Sequence, residues 1–362
     1  MAGERSSSLM ADAPTGLLAQ PILGVLGGIL VVALSFASAA LLPPPVVNGW
    51  VGLGLTAAVP TLIVQTTVWR GHPRTIVGQP LRGLTGVMVM TASGAGVSVA
   101  ALLGFGGGDL RPTPFVIMPL VCAVPIILWQ VFLFECWPFR RLSESPITIG
   151  LLTLVTSYVA VAVGVHLFFN DAFLRGAAFY DARLDPGGLF DARDIVAIAV
   201  ASAGGVLGLA ALDFWPVAAL ARLLPILNDQ PGRGIAGLAF SLGAAIALWA
   251  ACCLWSGADV ATFQARVCVS FIFGMFVLLV MLQGSAFSGQ RQPLRGLFVI
   301  GSAAMIAVVA YPLYRQVAAW RGGLASATEL DTWISTVMLA ITFPGMGVLA
   351  DLFDFWPLRR SQ

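Results

Sequence analysis

The sequence predicts an all-α, polytopic membrane protein of about ten transmembrane helices. Three observations predict it. Of the 362 residues 58% are hydrophobic, only 10% are charged, and apolar runs succeed one another along the whole chain. Each run is about twenty residues long, the length that crosses a bilayer as a helix. A soluble domain carries about a quarter charged residues, so composition alone excludes that class.

The elements follow in order. Residues 1–20, MAGERSSSLMADAPTGLLAQ, are polar, and the apolar run behind them is too long for a signal peptide and has no clear cleavage site. They read as a cytoplasmic tail. Spanning helices are expected at 21–42, 49–69, 80–104, 114–137, 146–169, 194–215, 232–255, 262–286, 293–317 and 332–356. Residues 21–357 thus form a single transmembrane domain, followed by a short tail over 358–362. Pro21, Pro80, Pro146, Pro231 and Pro293 stand at or near the starts of odd-numbered helices, where the missing N–H costs nothing.

All nineteen basic residues are arginines; the loops on the side of the two termini hold twelve of them and the other side seven. The excess places both termini in the cytoplasm, at a bacterial inner membrane. An even number of spans gives the same answer.

An internal repeat runs through the chain. Even-numbered helices end alike, in TTVWRGHP at Trp69, FECWPFRR at Trp137, LDFWPVAA at Trp215 and FDFWPLRR at Trp356, with a degenerate GSAFSGQ placing Phe287 at the anchor. Odd-numbered helices begin alike, in GQPLRGL at Gln79, DQPGRGI at Gln230 and RQPLRGL at Gln292, with AQPILGV at Ala19 and a weaker SPITIGL at Ser145. The unit is a hairpin of about 70 residues, and the fifth copy is split between the two ends of the chain. Such a split predicts five hairpins in a closed ring, with the first helix beside the tenth. Trp69, Trp137, Trp215 and Trp356 suit a membrane–water interface, and anchoring alone explains their recurrence.

Two positions before the anchors lie Thr67, Glu135, Asp213, Ser285 and Asp354; two positions after the prolines lie Arg82, Arg233 and Arg295. Carboxylates and arginines therefore share one membrane face. The simpler reading is a set of ion pairs that clamp the hairpin turns. The sharper one adds the positive helix N-termini and makes a vestibule for anions. The odd helices supply Gly86, Ser93, Gly94, Thr153, Ser157, Ser241, Gly243 and Gly301. Small residues like these allow close packing, and together they would also line a narrow path.

The long loop from Asn170 to Asp194 carries five aspartates and repeats YDAR as FDAR. It lacks the ligand spacing of a calcium loop and reads as solvated. The five cysteines show no CxxC, the vicinal Cys252–Cys253 reads as two small hydrophobes in a helix, and His72 and His166 have no second histidine near them. No metal or cofactor is expected. Walker, GxSxG and HExxH motifs are missing, which leaves no catalytic residue to name, and no basic stripe suggests nucleic acid.

Ten helices as five hairpins with proline-started odd helices, and the stretch AFSLG at Ala239–Gly243, resemble the tellurite-resistance/dicarboxylate transporter family, which includes plant slow anion channels. The resemblance implies that the inner helices line a central anion pore. The expected function is a channel or secondary transporter for a small, anionic solute. The alternative is a non-catalytic membrane subunit that anchors or assembles a partner complex. The expected partners are the lipid bilayer, the solute, and further copies of the chain or partner subunits.

Overall fold

A computed structural model describes residues 19–69 and 78–359. Residues 1–18 and 360–362 of the expected tails, the turn with His72, and Arg5, Arg70, Arg74 and Arg360 lie outside the described residues.

The chain is helical, and among the described residues ten helices are long and apolar enough to cross a membrane, as a multi-pass membrane protein requires. They are α1 Ile22–Leu41, α2 Pro44–Trp69, α3 Leu81–Gly104, α4 Pro114–Leu133, α5 Pro146–Phe168, α6 Ala192–Ala211, α7 Gly232–Trp255, α8 Val260–Met281, α9 Leu294–Arg321 and α10 Ala327–Leu352. Each overlaps an expected span. The differences sit at the ends: α2 and α10 begin earlier than predicted, α9 runs on to Arg321, and α4, α6, α8 and α10 stop short of the Trp or Phe anchors. The only strands among the described residues are β1 Phe169–Asn170 and β2 Phe190–Asp191, a parallel bridge that closes the base of the long loop.

The helices sort into two layers. In the most apolar stretch of each even-numbered helix 50 to 67% of the residues are buried, against 17 to 33% for the odd-numbered ones. Within the inner layer α2 packs on α4, α4 on α6, α6 on α8, α8 on α10 and α10 on α2. Each outer helix lies in a groove between two inner ones: α3 on α2 and α10, α5 on α4 and α2, α7 on α6 and α4, α9 on α8 and α6, and α1 on α10 and α8. The first and tenth helices are thus neighbours.

Small residues set these spacings. A Cβ on Gly94 of α3 would come within 2.7 Å of Ala58 on α2, and one on Gly86 within 3.0 Å of Leu352 on α10. Thr153 and Ser157 of α5 are buried and donate to carbonyls of their own helix. Gly243 and Gly301 meet nothing within 4 Å. Gly86 and Gly94 thus serve packing from an outer layer, whereas Gly243 and Gly301 do not. Seven of the eight π-helical stretches among the described residues fall on α2, α4, α8 and α10, a distortion that recurs at functional sites in other helices.

Candidate functional site: the turn layer

One face of the molecule, where α1 begins and α10 ends, gathers the repeated motifs. Four odd helices start with Gln-Pro-x-x-Gly, and all four build the same contact. The amide nitrogen of Gln20 donates to the Met281 carbonyl at 3.1 Å, Gln79 to Leu352 at 2.7 Å, Gln230 to Leu133 at 2.8 Å and Gln292 to Ala211 at 2.9 Å. The amide oxygen of each accepts the N–H of the glycine four residues on, at 3.2 Å in every copy. A helix leaves its first N–H groups and last carbonyls without partners. One glutamine therefore caps the start of its own helix and the end of an inner neighbour. The Gln–Pro bond is cis in all four.

The glycine is required by the same geometry. A Cβ on Gly24 would overlap the Met281 carbonyl oxygen; one on Gly83 would lie 2.5 Å from the Phe353 ring and one on Gly296 2.6 Å from Leu212. The fifth odd helix differs: Ser145 caps α5 by accepting from Thr148, and Gly150 lies against the Trp69 indole. Sequence reading quoted the Gln-Pro motif but assigned the glutamine no role. The signal was present in the constant spacing from glutamine to glycine.

Past the inner helices the chain turns through two left-handed residues: Glu135 and Cys136, Asp213 and Phe214, Asp354 and Phe355. After α8 the equivalent pair is Gln283 and Gly284. The copy around α8 is therefore shifted by two residues from the assignment of Ser285 and Phe287 read off the sequence. Aspartate tolerates this conformation better than most side chains, which accounts for the acidic position in part. The turn also explains why these helices end before their tryptophans.

Glu135, Asp213 and Asp354 stand in these turns with their side chains at least partly exposed. Glu135 pairs with Arg233 at 3.1 Å and Asp354 with Arg359 at 3.2 Å, whereas Asp213 accepts from Gln292 at 2.9 Å. Arg233 also lies 5.5 Å from the Phe214 ring. Arg295 donates to the Gly284 carbonyl at 2.6 Å and Arg82 is exposed; neither forms an ion pair among the described residues. Arg233 and Arg295 belong to outer helices and bridge to the turns after inner ones. Trp215 and Trp356 are 48% and 37% exposed, and Trp69 and Trp137 are half-buried.

The opposite face carries the long loop. Its two DAR copies form the same unit: Arg183 pairs with Asp181 and Arg193 with Asp191, each at 2.7 Å. Asp185 accepts from the Asp171 and Gly187 N–H groups and from the Tyr180 hydroxyl. Asp171 is buried, and its carboxyl is pushed up to about 6, first by burial and then by Asp185 and Asp191. A carboxyl bound more tightly to its proton in the folded state than at its unfolded value of about 4 adds stability that is complete below that value and is lost as pH climbs through about 6. The protein should therefore melt higher near pH 5 than near pH 7.5, by on the order of 1–2 kcal/mol from this group. Asp171→Asn should flatten that slope and raise the melting temperature at the higher pH. Thermal unfolding of both proteins in detergent across this range checks it.

Among the described residues no three His, Cys, Asp or Glu side chains converge as metal ligands would. Fold and turn layer together define a multi-pass helical membrane protein with a repeated cap between its two layers. No family model matches the chain, and neither the curated proteins nor the solved structures include a significant match to it.

Proposed function

We propose that the chain is a channel or secondary transporter of a bacterial inner membrane. Both termini are cytoplasmic, and five hairpins close into a ring that passes a small anionic solute. The observation that carries the ring is the glutamine contact. Four of the five odd helices reach through a glutamine to the inner helix three places earlier, and the count wraps around the chain ends, α1 to α8 and α3 to α10. The fifth hairpin, split between the two ends of the chain, is made by α10 and α1.

A ring of this kind shelters five helices from lipid, so that polar groups such as Gln65, Gln130, Ser202 and Thr342 can sit at membrane depth on its inner layer. The same two-layer plan is what the resemblance to the tellurite-resistance/dicarboxylate family implies. The anionic preference rests on the outer-helix N-termini and their arginines. Glu135 offsets the charge of Arg233, but Arg295 meets only a carbonyl. Arg82 and Arg295 then supply the attraction, and Arg233 acts as a clamp.

Anion flux in liposomes containing the purified protein tests this. Arg82→Gln and Arg295→Gln should each lower anion-over-cation selectivity severalfold, whereas Arg233→Gln should lower folded yield and leave selectivity alone. Absence of flux for every anion tried would sink the transport reading and leave the non-catalytic subunit.

A further inference from the structure

A cavity of about 840 Å³ opens between the outer helices α7 and α9, over the faces of α6 and α8. Three of its lining residues on α6, Gly204, Gly205 and Gly208, carry no side chain, and Ala304 and Ala307 of α9 line it with small ones. Gly205 brings α7 close, its Cβ position lying 3.2 Å from Ser241, but the space above Gly208 is bounded only by Ile300 at 3.8 Å. Phe240 and Val308 form the rims and are 49% and 75% exposed, so the cleft faces the side where lipid would lie. Along α9 the lining runs from Ile300 to Arg315, a length of about 22 Å at 1.5 Å per residue.

One end of this apolar cleft is charged. Arg266 of α8 and Arg315 of α9 line it, each six residues from the end of its helix that lies opposite the turn layer. That places both about 9 Å inside the helix ends. Both are exposed, and among the described residues neither takes part in an ion pair. The Arg266 guanidinium lies 4.8 Å from the Tyr311 ring, which holds it over the cleft. Two cations at this depth require either water reached by snorkelling or an anion brought to them. A guanidinium matches a phosphate with parallel hydrogen bonds.

We propose that this cleft binds an anionic phospholipid from the leaflet opposite the turn layer. One acyl chain lies along the Gly204–Gly208 floor and the headgroup phosphate sits between Arg266 and Arg315. The site lies outside the proposed solute ring, and its occupancy is read by binding rather than flux, so either idea can fail without the other.

The test is native mass spectrometry of the full chain released from micelles containing phosphatidylglycerol or phosphatidylcholine of identical chains. Phosphatidylglycerol should be retained at least tenfold better, with one molecule per chain. The double variant Arg266→Gln/Arg315→Gln should lose that preference, and Gly208→Leu, which fills the floor, should lose retention of both lipids. Equal retention of the two headgroups by the unmodified protein overturns the proposal without reliance on any variant. So does an undiminished preference in the double variant.

Discussion

Gly24→Ala is expected to cost about 3 kcal/mol of stability, a large loss for a single methyl group. The added carbon would overlap the Met281 carbonyl oxygen and lie 2.8 Å from the Gln20 amide oxygen. Neither partner is the free end of a flexible chain: one is backbone, and the other is fixed by two hydrogen bonds at 3.1 and 3.2 Å. The start of α1 would have to swing away from α8, which also gives up the cap on the Met281 carbonyl. Gly28, one turn further along α1, is the control, because its nearest neighbour to an added carbon is 4.0 Å away. Gly28→Ala should be neutral or slightly stabilising, since alanine favours a helix over glycine by about 0.5–1 kcal/mol. Gly83→Ala should fall between, because the Phe353 ring it meets can turn aside. Melting of the three variants, followed by size exclusion in detergent, gives the order. If Gly24→Ala melts with Gly28→Ala, the contact does not hold the two layers together.

The ten spans were legible because apolar runs and their proline and glycine boundaries follow directly from the bilayer's thickness. The Trp-Pro and Gln-Pro motifs were legible as repeats, but the work of Gln20, Gln79, Gln230 and Gln292 was not. A glutamine beside a proline carries no sign of which distant carbonyl it reaches, and Met281 is 261 residues from Gln20. Layer order was hidden for a different reason. Lipid tails are as apolar as a protein core, and mean hydropathy overlaps between layers, at 1.8 to 2.3 for the odd helices and 1.5 to 2.4 for the even ones. The serines and glycines of the odd helices could therefore be read as a path lining, whereas they pack against inner neighbours or face outward. Of the candidate site, the acidic position and the three arginines were found by register. The pairing of Asp213 with Gln292 rather than an arginine depends on side-chain reach, which spacing does not encode. The shift at Gln283 escaped because no tryptophan marks that turn.

Asp331→Ala should be the most damaging change at the face opposite the turn layer. Asp331 of α10 is 3% exposed and accepts from the Tyr311 hydroxyl of α9 at 2.8 Å and the Thr262 hydroxyl of α8 at 2.6 Å. One carboxyl thus joins three helices. Alanine would leave two hydroxyls without their acceptor beside a cavity, at a cost of about 3 kcal/mol. Tyr311→Phe removes one donor and leaves the Thr262 bond, so about 1–2 kcal/mol is expected. If the two groups act through their shared bond, the double variant will cost less than the two single changes together, by about 1–2 kcal/mol. Asp331→Asn separates structure from transport, because an amide keeps an acceptor oxygen but carries no exchangeable acid. A carboxyl that only ties helices will lose some stability in this variant and keep its flux per folded molecule. If folding is unchanged and flux is lost, Asp331 is a proton or solute site, and the structural account of the Tyr311–Asp331–Thr262 contact falls.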